Sequence, residues 1–420
     1  MLGGAASCRT VRLMADALII DACRTPRGIG KQGKGALAHL HPQHLGATVL
    51  AALVERNGFD TAEVDDVVWG TSAQVCEQGG DLGRMSALAA GYDVKASGVT
   101  LDRFCGSGIT SASLAAATVA AGMQDLVVSG GTEMMSLPKK GMLPMGAGNP
   151  ALQELHPQSH QGVCADAIAT IEGIPREVLD ALAVESQRRA ERAIQEGRFD
   201  RSLIPVYNPD GSVALDREEF PRPGTTVASL AGLPPSFPAV ADHRFSDDSP
   251  TFRELINQKY PEVDIQHVHH AGNSSGVVDG SAAILWAGSD YAKAHGMTAR
   301  ARVVATANMG DCPTLMLNAP VPAAKKVLEK AGLTKDDIDV YEINEAFSVV
   351  AEKFIRDLDL DREKVNINGG AMALGHPIGA TGSILIGTAL DELERSGGRY
   401  GLITMCAAGG MAPAIIIERI

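Results

Sequence analysis

Aromatic residues are scarce in this 420-residue chain, at 4%, with two tryptophans in all. A core with few large rings must be filled by small and branched residues, and the 46 glycines permit close backbone approaches. Positive charge is also short: 37 Lys and Arg face 50 Asp and Glu, a net charge of −13. That balance excludes the basic stripe of a nucleic-acid surface, yet it allows one anionic ligand in a local basic pocket. No Cys-x-x-Cys pair occurs among the seven cysteines, at positions 8, 23, 76, 105, 164, 312 and 406. An odd count without paired spacing argues against a zinc site or a disulfide framework, so no metal and a reducing, cytoplasmic setting are expected. No apolar run is long enough to span a bilayer. Residues 1–13 lack the apolar core of about 7–15 residues that a secretory signal needs, and they read as a disordered extension or an over-called start, with a weak organelle address as the alternative.

The length exceeds one ordinary core, so two or three lobes are expected. Short apolar strands alternate with helical stretches from residue 17 onward, the pattern of an α/β protein with helix-covered sheets. Strands are predicted at 18–20, 67–69 and 126–128, with helices near 43–56 and 108–122. The C-terminal part repeats the plan, with strands at 302–305, 340–343 and 402–405 and helices at 322–330 and 381–394. Strand, glycine turn, helix, strand and Gly-Gly occur once over 98–134 and again over 364–414, which suggests a duplicated architecture. The segment 135–277 breaks the rhythm with prolines, loops and a helix near 176–196, and it reads as an inserted lobe. The expected division is therefore 14–134 plus 278–298, 135–277, and 299–420.

Chemistry concentrates in glycine-rich turns. Cys105 lies in Arg103-Phe104-Cys105-Gly106-Ser107-Gly108, between a strand-like run and a helix. Such placement brings the sulfur to a helix N-terminus, where a lowered thiol pKa is expected and the Cys105 N–H can serve an oxyanion. His376, in Gly375-His376-Pro377-Ile378-Gly379, can take a thiol proton at neutral pH. Cys406 follows a predicted strand and precedes Ala407-Ala408-Gly409-Gly410. Asn344, in Glu342-Ile343-Asn344-Glu345-Ala346-Phe347, is either a helix cap or the holder of a water. The run Gly28-Ile29-Gly30-Lys31-Gln32-Gly33 matches Gly-x-Gly-x-x-Gly literally, but it does not join a strand to a helix as a dinucleotide site requires.

Together these four segments, in this order, resemble the thiolases, the acetyl-CoA C-acyltransferases and acetyl-CoA acetyltransferases, over about residues 16–420. The resemblance implies an α/β thiolase fold: two duplicated halves in a five-layer αβαβα sandwich, with 135–277 as a loop domain that binds coenzyme A. It implies reversible thiolytic cleavage of 3-ketoacyl-CoA, or condensation of two acetyl-CoA, through an acyl-cysteine. Cys105 would be the nucleophile, His376 its base, and Cys406 the general acid/base. Asn344 would hold a water that binds the enolate oxygen with His376, and the N–H groups of Cys105 and Ala408 would form a second oxyanion hole. His160, Arg222, Ser229, Phe237 and Ser275 match coenzyme A contacts, and Met316 and Phe347 match the wall of the acyl pocket. No tightly bound cofactor and a homotetramer built from dimers are implied.

The chain departs from the family pattern in three places. Ala408 stands where glycine is usual, Gln161 where methionine is common, and the stretch from Phe237 to Ser275, including Arg244 to Tyr260, is longer. Rival readings are a condensing enzyme of the same fold, a noncatalytic acyl-CoA carrier and a nicotinamide dehydrogenase. Cys406 favours the thiolase branch over the first, and retention of both cysteines disfavours the second.

Overall fold

The computed structural model describes residues 16–137 and 148–420. The expected extension at 1–13 lies outside the described residues, as does most of the Met/Gly/Pro stretch at 141–150. In chain order the strands are β1 (Ala17–Arg24), β2 (Gly28–Ile29), β3 (Asp66–Gly70), β4 (Val99–Leu101), β5 (Leu126–Met134), β6 (Val206–Tyr207) and β7 (Val213–Leu215). They continue as β8 (Val278–Gly288), β9 (Ala301–Gly310), β10 (Val340–Ile343), β11 (Tyr400–Thr404) and β12 (Met411–Arg419). The first helices are α1 (Pro42–Asn57), α2 (Leu82–Ala89) and α3 (Ser107–Ala120). The insertion carries α4 (Pro150–Leu155), α5 (Gln161–Ile171), α6 (Arg176–Gln195), α7 (Val227–Ala231), α8 (Pro238–Ala241) and α9 (Phe252–Asn257). The last are α10 (Ser289–Ala294), α11 (Pro320–Ala331), α12 (Ser348–Leu358), α13 (Ala371–Leu374) and α14 (Ile378–Ser396).

The duplication is visible in the strand pairing. β1 pairs antiparallel with β8, β8 antiparallel with β5, β5 parallel with β3, and β3 parallel with β4. β9 pairs antiparallel with β12, β12 antiparallel with β11, and β11 parallel with β10. A parallel bridge from Tyr341 to Val365 occupies the place that β4 holds in the first unit. The two units join through the pairs Leu18–Arg302 and Ile19–Ala301, so that one sheet path runs β10-β11-β12-β9-β1-β8-β5-β3-β4.

Both faces of these sheets are apolar, because each is covered by helices. Ile19, Val68, Val127, Ile284 and Trp286 face one buried layer, shared with Ile403, Ile415 and Ile417 of the second unit. Helices α3 and α14 fill that layer, through Ile109, Val119, Ile386 and Leu390. Alternate residues, such as Leu18, Val67, Trp69 and Leu285, pack outward onto α1 and α2. Leu402, Tyr341, Ile343 and Ile416 pack outward onto α11 and α12. The order helix, sheet, helix, sheet, helix follows. The two central helices touch through glycine: a Cβ on Gly382 would sit 2.1 Å from the Ile109 nitrogen. Small residues are what let the helices approach closely enough to bring their N-termini together.

Candidate active site

Cys105 sits at a sharp elbow between β4 and α3. Phe104 adopts φ +50°, a left-handed conformation that costs energy for a non-glycine residue and is common at functional turns. The elbow is strapped: Asp102 Oδ1 accepts from the Phe104 N–H at 2.6 Å, while Ser107 Oγ accepts from Arg103 N–H and donates to the Phe104 carbonyl. Gly106 is the N-cap of α3, so Cys105 lies one residue outside the helix. The expected lowering of its thiol pKa does not occur. Burial, with Glu133 adding negative charge, pushes the thiol up to about 12. Desolvation by the surrounding protein outweighs the helix end, although Cys105 is only half-buried at the cavity floor.

His376 precedes α14 as Cys105 precedes α3. Gly375, at φ +93°, makes the bend, and a Cβ there would collide with Val278 at 2.4 Å. The His376 N–H donates to the Gly276 carbonyl at 2.9 Å. Nδ1 lies 2.6 Å from Thr381 Oγ1, and that hydroxyl donates its single proton to the Pro377 carbonyl at 3.0 Å. With the hydroxyl proton on that carbonyl, Nδ1 carries the hydrogen and Nε2 is the acceptor. Burial pushes the imidazole down to about 4, so Nε2 is unprotonated at neutral pH. Nε2 lies 3.4 Å from Asn344 Nδ2. Asn344 continues beyond β10, and its N–H donates to the Thr404 carbonyl. Cys406 lies just beyond the neighbouring strand β11. Burial raises its thiol pKa, and Cys105 is near enough to raise it further by charge.

A cavity of about 770 Å³ opens over this centre. Cys105 and His376 line it, together with His160, Arg222, Phe237, Ser275 and Phe347 of the expected ligand contacts. His160, Phe237 and Phe347 form a continuous aromatic wall, with ring centroids 5.8 Å apart at each step. The long stretch after Phe237 folds into α8 and α9, and Phe252 packs 5.7 Å from the His160 ring. Ser275 is held by its N–H to the Ala346 carbonyl. Five expected residues lie off the cavity lining: Asn344, Cys406, Ala408, Met316 and Ser229. Met316 is buried in the same apolar layer as Phe347 and Cys406. Ser229 is exposed and closes a capping box with Thr226 at the start of α7. Ala408 needs no left-handed backbone, because Gly409 and Gly410 supply the positive φ of that turn.

Sequence reasoning missed the polar supports. Glu133 accepts from the Ser72 N–H and hydroxyl, from Gln78 Nε2 at 2.7 Å, and from the Gly379 N–H at 2.9 Å. It thereby clamps the first turn of α14 behind His376. Glu345 accepts from Ser186, Asn366 and the Met372 N–H, and fixes the loop after β10. Gln187 lines the cavity and accepts from the Arg222 N–H. Thr381 follows the quoted histidine turn by two residues, and its spacing one turn after Pro377 was the available signal. The Ile29–Lys31 segment, part of the discounted glycine pattern, runs along the cavity, and β2 pairs with β8 there.

The family models for the thiolase N-terminal domain and the thiolase C-terminal domain match residues 17–241 and 297–419. The chain is 37% identical to a beta-ketoadipyl-CoA thiolase of Acinetobacter baylyi, over 97% of this chain and all of that protein. It is 38% identical to a steroid 3-ketoacyl-CoA thiolase of Mycobacterium tuberculosis, over 97% and 95%. It is 36% identical to an acetyl-CoA acetyltransferase of Cupriavidus necator, over 97% and 100%. The crystal structure of a Bacillus anthracis acetyl-CoA acetyltransferase superposes with a TM-score of 0.82 at 33% identity, covering 97% of this chain and all of that one.

Proposed function

Because the chain belongs to the thiolase family, we propose that it cleaves 3-ketoacyl-CoA with coenzyme A, and runs the reverse condensation, through an acyl group on Cys105. One observation carries this reading: Cys105 and His376 line one cavity, and the Cys406 thiol lies close enough for its charge to couple with Cys105.

Thiolysis then proceeds as follows. His376 Nε2 takes the Cys105 proton as the sulfur attacks the 3-keto carbon. The N–H groups of Cys105 and Ala408 stabilise the resulting oxyanion, each donor contributing roughly 2.7–4 kcal/mol. The C2–C3 bond breaks, and its electron pair leaves as the enolate of acetyl-CoA. The enolate oxygen is met by His376 Nε2–H and by the water on Asn344. Cys406 Sγ–H protonates C2, and acetyl-CoA departs. The Cys406 thiolate then takes the proton of incoming coenzyme A, whose sulfur attacks the acyl group on Cys105. The shortened acyl-CoA leaves, and His376 returns its proton to Cys105. Splitting a carbon–carbon cleavage into two acyl transfers lowers each barrier. The protein side chains carry every proton.

The insertion 135–277 is proposed to hold coenzyme A, with Arg222 toward phosphate or adenine and His160, Phe237 and Ser275 along the pantetheine arm. Phe347 and Met316 are proposed to border the acyl group. A homotetramer of dimers is proposed from the edge strand β4, flanked by exposed Val75, Val99 and Phe104. Sedimentation equilibrium tests it, and a monomer would contradict it. No described helix is long and apolar enough to cross a membrane. A cytoplasmic location is proposed on the six free cysteines among the described residues, and cell fractionation tests it. Thiolysis rates across 3-ketoacyl-CoA from four to about sixteen carbons would fix the substrate. The decisive test is Cys105→Ala with acetyl-CoA: mass spectrometry should find no acetyl adduct, and an adduct of wild-type yield on this variant would refute the assignment.

A further inference from the structure

Glu342 is a buried acid that the reaction above leaves without a task. Strand alternation turns Tyr341 and Ile343 of β10 outward and Val340 toward the central helix layer. Glu342 and Asn344 follow Val340 on that inner side. Glu342 is 1% exposed, and neither carboxyl oxygen has a hydrogen-bond partner in the protein. Asn344, two residues on, repeats the problem: its Oδ1 is buried without a partner, while its Nδ2 faces His376. Unpaired buried polar atoms are costly, so two in adjacent inward positions call for a shared solution.

The cavity between them supplies one. Glu342, Asn344 and Thr381 line a small internal space with about 10 Å³ of room for a water centre. That is enough for one water, which needs two to four polar neighbours. Arg27 also lines it, but its Nε and Nη2 are both committed to Glu218. Burial first, and then the negative charge of Glu345 and Glu392, hold the Glu342 carboxyl well above its ordinary range against the opposing charge of Arg27 and Arg189, and so favour the protonated form. A protonated carboxyl can donate one hydrogen bond and accept others.

We propose that Glu342 is a positioning residue: through one buried water it holds Oδ1 of Asn344, and so aims the carboxamide NH2 toward His376 and the second water that meets the enolate oxygen. The water accepts from the Glu342 hydroxyl and donates to Asn344 Oδ1. Without that tether the carboxamide can rotate by half a turn and present oxygen in place of the NH2 donor that fixes the enolate-binding water. This inference rests on the thiolase reading above, in which Asn344 and His376 serve the carbon–carbon step and the N–H groups of Cys105 and Ala408 serve acylation.

The test compares wild type, Glu342→Leu and Glu342→Gln in two assays. Acetylation of Cys105 by acetyl-CoA is followed by rapid-quench mass spectrometry, and thiolysis of acetoacetyl-CoA by steady-state rate. Glu342→Leu should acetylate within about threefold of wild type, yet lose about 10- to 100-fold in thiolysis kcat with KM for coenzyme A unchanged. Glu342→Gln keeps a donor and should recover thiolysis to within about fivefold. A merely structural role would lower both assays together. Equal loss in both assays, wild-type thiolysis in Glu342→Leu, or a glutamine variant as poor as leucine would overturn the proposal. Should the leucine variant not fold, a high-resolution structure of the wild type decides: a water bridging Glu342 and Asn344 is expected, and a dry cavity overturns the idea. A wild type that never acetylates Cys105 would overturn the functional reading along with it, whereas normal acetylation with any of the failures above overturns only the role of Glu342.

Discussion

The two halves of the molecule share one strand order but finish equivalent strands differently. In the first half β3 and β5 end in a closed polar network, in which Glu133 gathers Thr71, Ser72, Gln78 and the Gly379 N–H. In the second half the corresponding strands, β10 and β11, end in Asn344 and Cys406, whose thiol and Oδ1 are not tied up in such a network. Each half also contributes one central helix with a reactive residue before it: Cys105 before α3 and His376 before α14. Duplication thus brings two helix N-termini together, and the strand ends diverge: those of the first half carry the Glu133 clamp, those of the second carry Asn344 and Cys406.

The sharpest way to break that contrast is to substitute His376, the base proposed in the second half. His376→Ala should lower thiolysis kcat by about 10³-fold, read in steady state, within the range of general-base contributions. His376 also predicts a pH effect on folding. Its folded pKa of about 4 lies below the ordinary value of 6.5, so between these values the unfolded chain binds more protons. Stability contributed by this group is present above about pH 6.5 and falls as pH drops toward 4. The total is on the order of 3 kcal/mol. Urea unfolding of His376→Gln should show a shallower acid decline than wild type, and equal slopes would contradict it.

A smaller effect is expected from the clamp. Glu133→Gln replaces an all-acceptor carboxylate with an amide that must face at least one donor, costing about 1–3 kcal/mol in denaturant unfolding. The same change removes negative charge from beside Cys105, lowering its thiol pKa. Iodoacetamide should then alkylate Cys105 faster at pH 8, and an unchanged rate would show that Glu133 is not electrostatically coupled to Cys105. The smallest effect belongs to Ser229→Ala, away from both halves. Its hydroxyl is occupied in the α7 capping box. The loss should be about 0.5–1 kcal/mol of stability, with KM for coenzyme A unchanged; a raised KM would restore Ser229 as a ligand contact.

Much of this was legible from the chain. The strand at 340–343 falls as predicted, and the helices at 43–56, 108–122 and 176–196 fall within two residues of their ends. Cys105 and His376 were readable because glycine turns announced them. The strands β8 and β12 were not read. The β8 run Gly280-Ser281-Ala282-Ala283 carries small residues with no strand signal of their own, and tertiary pairing between two neighbours decides the outcome. Glu133 and Glu342 lie in strands where a carboxylate gives no periodic signal. Their meaning comes from donors and voids contributed by distant segments. The Cys105 pKa was misread because a helix end is visible in sequence and the depth of burial is not.

The central claim is a division of labour between two thiols gathered from the two halves. It is tested most directly by Cys406→Ser, assayed for acetylation of Cys105 and for thiolysis in parallel. The account predicts an acetyl group on the Cys105 peptide at the wild-type rate, with thiolysis lowered by about 10²- to 10³-fold. Loss of both activities together, or thiolysis at the wild-type rate, would contradict it.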